Sequence, residues 1–138
     1  SIFKKIMLIL KRHLADEIIA HCKKEFPLEA CGILAGKGNE IEMVYAMKNT
    51  DENAVSYFME PKEQLNTMKD IRKKGLEMLG IYHSHSFSRA HPSKKDVELA
   101  FYPEVSYVII SLKDRDKPEI SSFKIVEGKI EKEEVRIE

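Results

Sequence analysis

His83 and His85 stand two positions apart, and Asp96 follows them across a short polar segment. On an extended strand, residues i and i+2 point to the same side. His83 and His85 can therefore present two imidazoles to one ion while Ser84 faces away. Two neutral imidazoles and one carboxylate, with a fourth position left for water, form a common catalytic zinc arrangement. Asp96 supplies the carboxylate if loop 86–92 folds back and Asp96 falls in the first turn of the next helix. A zinc ion there lowers the pKa of its water to about 7. The site then needs a carboxylate near the ion, but off it, to take the water proton and pass it to a leaving group. Glu29 is the candidate: it precedes an apolar strand among small or apolar neighbours, where partial burial raises a carboxyl toward the working range. Ser93 is placed to donate its hydroxyl to a developing oxyanion.

Each residue also has a plainer reading. A His-x-His pair by itself is as readily two surface or capping histidines. Glu29 alone reads as a solvated loop carboxylate, and Ser93 alone as a helix cap. The combination after a buried strand is what favours a metal centre. His91 is an alternative ligand, ranked below Asp96 because it precedes Pro92 in the loop. His13 and His21 read as surface histidines. Cys31, two residues from Glu29, reads as a small buried hydrophobe.

The elements that must position these residues follow from periodicity. Ile6 to Leu10 reads as a first strand. Leu14, Ile18, Ile19 and Cys22 recur at helical spacing, predicting a helix over 14–25 that Pro27 ends. Cys31 to Ala35 is an apolar strand closed by the turn Gly36-Lys37-Gly38-Asn39, with Glu40 to Met47 returning. Ser56 to Met59 reads as another strand. Pro61 opens a second helix that runs to Gly75. Met78 to Tyr82 is a buried strand delivering His83 at its carboxyl end. Ser93 caps a third helix that continues to Pro103; Val105 to Leu112 and Ile120 to Val126 are strands, and Gly128 turns into a last one ending at Ile137. Strands mixed with three helices predict an α/β (α+β sandwich) architecture around a single sheet.

The 138 residues fit one domain, 1–138, that can bury a core without staples, so a metal here is catalytic rather than a folding requirement. Met7 is a candidate natural start, which would make residues 1–6 an addition to it. The 23 basic and 23 acidic side chains cancel, so bulk charge supports neither a nucleic-acid nor a membrane-surface partner. Two cysteines make no disulfide framework and suit reduced thiols in a cytoplasmic protein. No run approaches the ~20 apolar residues of a membrane span.

The residues resemble the JAMM (MPN+) zinc metallopeptidase family, in its short prokaryotic form. Its motif is an upstream Glu, then His-Ser/Thr-His, seven residues, Ser, two residues and Asp. Here these are Glu29, His83-Ser84-His85, residues 86–92, Ser93, Lys94-Lys95 and Asp96. A second segment, Pro27-Leu28-Glu29-Ala30-Cys31-Gly32, is similar to the Pro-x-Glu-x-Cys-Gly run of short bacterial and archaeal members. The resemblance implies a curved mixed β-sheet flanked by helices. It implies Zn2+ on His83, His85 and Asp96, zinc-bound water as nucleophile, Glu29 as general base, and Ser93 at the water or oxyanion. It also implies hydrolysis of a peptide or isopeptide bond after the C-terminal Gly-Gly of a ubiquitin-like or sulfur-carrier protein. The chain lacks the length for the insertions of ubiquitin-chain-specific relatives, and loop 86–92 departs from the His-Pro opening of many bacterial members. Two alternatives stay within the superfamily: a non-catalytic MPN scaffold, which would have lost ligands kept here, and a RadC-like DNA-repair relative. A zinc nucleoside deaminase would need His-x-Glu and Pro-Cys-x-x-Cys, and neither is in the sequence. Oligomeric state is open, with a homodimer one option.

Overall fold

The computed structural model describes residues 7–51 and 54–138. Ile6 and the question of residues 1–6 lie outside them. Seven strands and three helices follow the order β1 (Met7–Leu10), α1 (Arg12–Glu25), β2 (Cys31–Lys37), β3 (Glu40–Met47), α2 (Pro61–Lys73), β4 (Glu77–His85), α3 (Lys94–Glu98), β5 (Ser106–Ser111), β6 (Glu119–Val126) and β7 (Lys129–Ile137).

The strands form one mixed sheet in the order β1-β3-β2-β4-β5-β6-β7, curved until β7 meets β1 and closes it. β2 runs antiparallel between β3 and β4, while β4 and β5 are parallel. β1 closes the ring by running parallel to β7 along its length and to β3 at Ile9. Closure leaves few unpaired strand edges to recruit another chain.

Side chains alternate across a strand, so the wall of the ring separates two cores. One holds Leu14, Ala15, Ile18 and Cys22 of α1 against Ala30, Leu34, Tyr82, Val108 and Ile110. The other gathers Cys31, Ile33, Ile81, Ile109 and Phe123 with Ile71 of α2. The buried stripe of α1 matches the periodicity that predicted it. Glu60, just before Pro61, caps α2 by accepting the Glu63 N–H at 2.7 Å.

Three expectations change. Ser56 to Met59 is not a strand: it makes one isolated bridge, Asn49 to Met59, because the segment has no neighbouring strand to pair with. The third helix stops at Glu98 instead of reaching Pro103; Leu99 closes it and Phe101 and Tyr102 continue as irregular chain. His21 is half-buried rather than a surface residue, its Nδ1 lying 2.7 Å from the Tyr82 hydroxyl.

Candidate metal centre

The site is built by strand register. β2 and β4 pair with Cys31 opposite His83, and continuing that antiparallel register sets Glu29 opposite His85. Two bonds hold the extension: Ser84 N–H donates to the Ala30 carbonyl at 3.0 Å, and Ala30 N–H donates to Ser84 Oγ at 2.8 Å. Alternation then turns His83 and His85 to one face and Ser84 to the other. The His-Ser-His run lies inside the end of β4 rather than beyond it.

The loop after β4 folds back on its own polar contacts. Ser86 Oγ donates to the Pro27 carbonyl at 2.7 Å, and Ser111 Oγ to the Ser88 carbonyl at 2.6 Å. The Arg89 carbonyl lies 2.8 Å from His85 Nδ1 and accepts the proton there, so that Nε2, which donates to Asp96 in metal-free protein, would be the nitrogen to lose its proton and ligate an ion. Ser93 caps α3 with a capping box: its Oγ accepts the Asp96 N–H at 3.0 Å, and its own N–H donates to Asp96 Oδ2 at 2.9 Å. The box fixes the Asp96 rotamer.

Three donor atoms converge as a result. His83 Nε2 and His85 Nε2 lie 3.2 Å apart, and Asp96 Oδ2 is 3.1 Å from the first and 2.9 Å from the second. The corners of a tetrahedral zinc site with bonds of 2.0–2.2 Å lie about 3.4 Å apart. Two imidazole nitrogens and one carboxylate oxygen at nearly that spacing fit a divalent ion of borderline softness. Among the described residues this is the one cluster of three such side chains. His91 is not part of it; its ring instead meets Phe123 edge-on at 5.5 Å. His13 is exposed, and Cys31 is fully buried with a free thiol, as is Cys22.

Glu29 is 3% exposed, and its Oε1 makes no hydrogen bond among the described residues. Burial pushes its carboxyl up to about 8, opposed by His85 and reinforced by the negative charge of Asp96. Burial also pushes Asp96 up, but hydrogen bonds from His83 and His85 outweigh it and hold this carboxyl well below the usual range. His85 is raised: burial acts against it, and Asp96 and the Arg89 carbonyl prevail. A cleft of about 290 Å³ opens beside Glu29, His85 and Ser93, walled by Ala54, Val55 and Phe87. Lys95, 3.9 Å from Asp51, adds positive charge nearby.

The structure thus gathers Glu29, His83, His85, Ser93 and Asp96 in one place. It adds residues that sequence reasoning missed. The Tyr57 ring stacks on His83 with centroids 4.6 Å apart, and Asn49 Nδ2 donates to the Glu29 carbonyl at 2.8 Å. Both come from the irregular segment between β3 and α2, which has no periodicity to announce what it touches.

A closed mixed sheet carrying a His-His-Asp cluster at one strand end defines an α/β domain with a candidate metal centre. The chain belongs to the prokaryotic homologs of the JAB domain, a family that matches residues 11–126. It is 32% identical to the CysO-cysteine peptidase of Mycobacterium tuberculosis over 133 residues, covering 95% of this chain and 91% of that protein. It is 31% identical to the desampylase of Pyrococcus furiosus over 133 residues, covering 91% and 94%. The solution structure of protein DSY2949 from Desulfitobacterium hafniense superimposes with a TM-score of 0.88 at 40% identity, covering 96% of this chain and 93% of that one. Among the described residues no helix is long and apolar enough to cross a membrane.

Proposed function

We propose that this chain is a zinc-dependent peptidase that hydrolyses the peptide or isopeptide bond following the C-terminal Gly-Gly of a ubiquitin-like or sulfur-carrier protein. One observation carries the reading: three ligand-type atoms converge beside a buried carboxylate whose Oε1 has no hydrogen-bond partner among the described residues. Family membership and the names of the relatives support the substrate class.

In this reading His83, His85 and Asp96 hold the ion, and Zn2+ suits two imidazoles and a carboxylate. A bound ion supplies Lewis-acid activation of water and polarisation of the scissile carbonyl. Glu29 accepts the proton of the attacking water at its free carboxylate oxygen and delivers it to the leaving amine nitrogen. Burial raises this carboxyl, which favours its holding the proton for the leaving group, while the positive charge of a bound ion would draw it back toward the ionised form that accepts one. Because Ser93 Oγ is an acceptor in the capping box, its own hydroxyl proton remains free to donate to the oxyanion. Asp96 keeps the negative charge that a ligand needs. Two buried free thiols suit a reducing compartment, the cytoplasm.

The test is incubation with Gly-Gly-terminated carriers bearing a C-terminal extension, read by mass spectrometry. The zinc-loaded protein is expected to return the carrier ending at Gly-Gly. Glu29→Gln is expected to keep the metal and lose turnover by at least ~100-fold. A Glu29→Gln protein that cleaves at the wild-type rate would move the general base elsewhere, and intact extensions on every carrier would remove the substrate assignment.

A further inference from the structure

The two histidines of the cluster are held in different ways. Ligating histidines commonly fix their ring by donating the second nitrogen to a carboxylate or carbonyl. His85 does so, with Nδ1 at the Arg89 carbonyl. His83 does not: it is 1% exposed, and its Nδ1 has no hydrogen-bond partner among the described residues. Turning this ring over about its Cβ–Cγ axis would exchange Nε2 for a carbon. Among the described residues no hydrogen bond at Nδ1 opposes the turn. What lies against the ring is Tyr57, with centroids 4.6 Å apart and planes 26° from parallel.

We propose that Tyr57 is the positioning residue for His83, holding the plane of its ring by stacking where the Arg89 carbonyl holds His85 by a hydrogen bond at Nδ1. The stacked face holds the plane of the imidazole and hinders its passage through edge-on orientations; a half-turn restores the same stack, so the choice of ring edge falls to the contact of Nε2 with Asp96 Oδ2, 3.1 Å away. Electronics favour the same arrangement. An imidazole that gives its lone pair to a cation becomes electron-poor, and the negative face of an aromatic ring attracts it. The hydroxyl of Tyr57 has no part in this; the ring does. The inference rests on the reading of His83 as a metal ligand.

Zinc affinity, measured by competition with a chromophoric chelator, tests it on wild type, Tyr57→Phe and Tyr57→Leu. The Phe variant is expected to bind within about threefold of wild type, because it keeps the ring. The Leu variant, which keeps apolar bulk but not the ring, is expected to bind ~10-fold more weakly or worse. A folded Leu variant with wild-type affinity overturns the proposal, and so does a Phe variant as weak as Leu. If the Leu variant does not fold, the wild-type protein decides. Nuclear Overhauser contacts between the His83 and Tyr57 ring protons are expected in metal-free protein, and their absence overturns the stacking. Folded wild type that binds no zinc would instead fail the ligand reading of His83 itself, a distinct outcome.

Discussion

Burial lifts the Glu29 carboxyl from its ordinary value of 4.5 to about 8, while donors around Asp96 carry that carboxyl the other way. The difference lies in partners, since Asp96 accepts from both imidazoles and Ser93 N–H whereas Glu29 Oε1 accepts from nothing described. A group whose folded pKa is raised contributes stability that is full below its unfolded pKa and is lost as pH rises through the folded value. For metal-free protein that window runs from 4.5 to about 8. Within it the wild type loses ground to Glu29→Gln by about 1.4 kcal/mol per pH unit at most. The Gln variant is therefore expected to melt above wild type at pH 9, the gap shrinking as pH falls toward 5. Equal melting curves throughout would mean that Glu29 ionises freely. The candidacy of Glu29 and Asp96 was legible from residue type and spacing. Tyr57 was not, because a residue in an irregular segment gives no sign of which ring it will meet.

At the scale of elements, β2 carries the site. Its register against β4 brings Glu29 level with His85, and a close approach at Gly32 permits that pairing. A Cβ built on Gly32 would lie 2.2 Å from the Tyr82 ring and 2.5 Å from the Tyr45 carbonyl oxygen. Gly32→Ala must push aside both the Tyr82 ring, straining the contact between its hydroxyl and His21, and the Tyr45 backbone carbonyl of the paired strand β3. The expected cost is about 1–3 kcal/mol, read as a lower denaturant midpoint, with weaker zinc binding if the β2–β4 register yields. An unchanged midpoint would mean that the ring and the β3 backbone both give way at no cost. Helix α1 was legible because one stripe of apolar residues meets one core. The segment 56–59 misled because its residues suit a strand, whereas a strand also needs a neighbour, and that is not written locally.

Over the whole molecule, two apolar cores line opposite faces of a closed sheet, and neither needs an ion to complete it. Metal removal is expected to leave far-ultraviolet circular dichroism and cooperative melting in place. Zinc at a hundredfold excess over its dissociation constant should add about 2.7 kcal/mol, a rise on the order of 10 °C in Tm. Loss of cooperative unfolding on chelation would make the ion structural. Binding itself should strengthen as pH rises, because the raised His85 must give up its proton before it can ligate.

The order of helices and strands, apart from the segment 56–59, and the candidate ligands and candidate base were determined by sequence, since each depends on residue type and short-range spacing. The parallel pairing of β1 with β7, the level placement of Glu29 and His85, and the stacking of Tyr57 on His83 were decided by tertiary structure alone. Each joins residues far apart in the chain. Such contacts depend on how the sheet curves and which strands meet, and no local pattern of side chains encodes that.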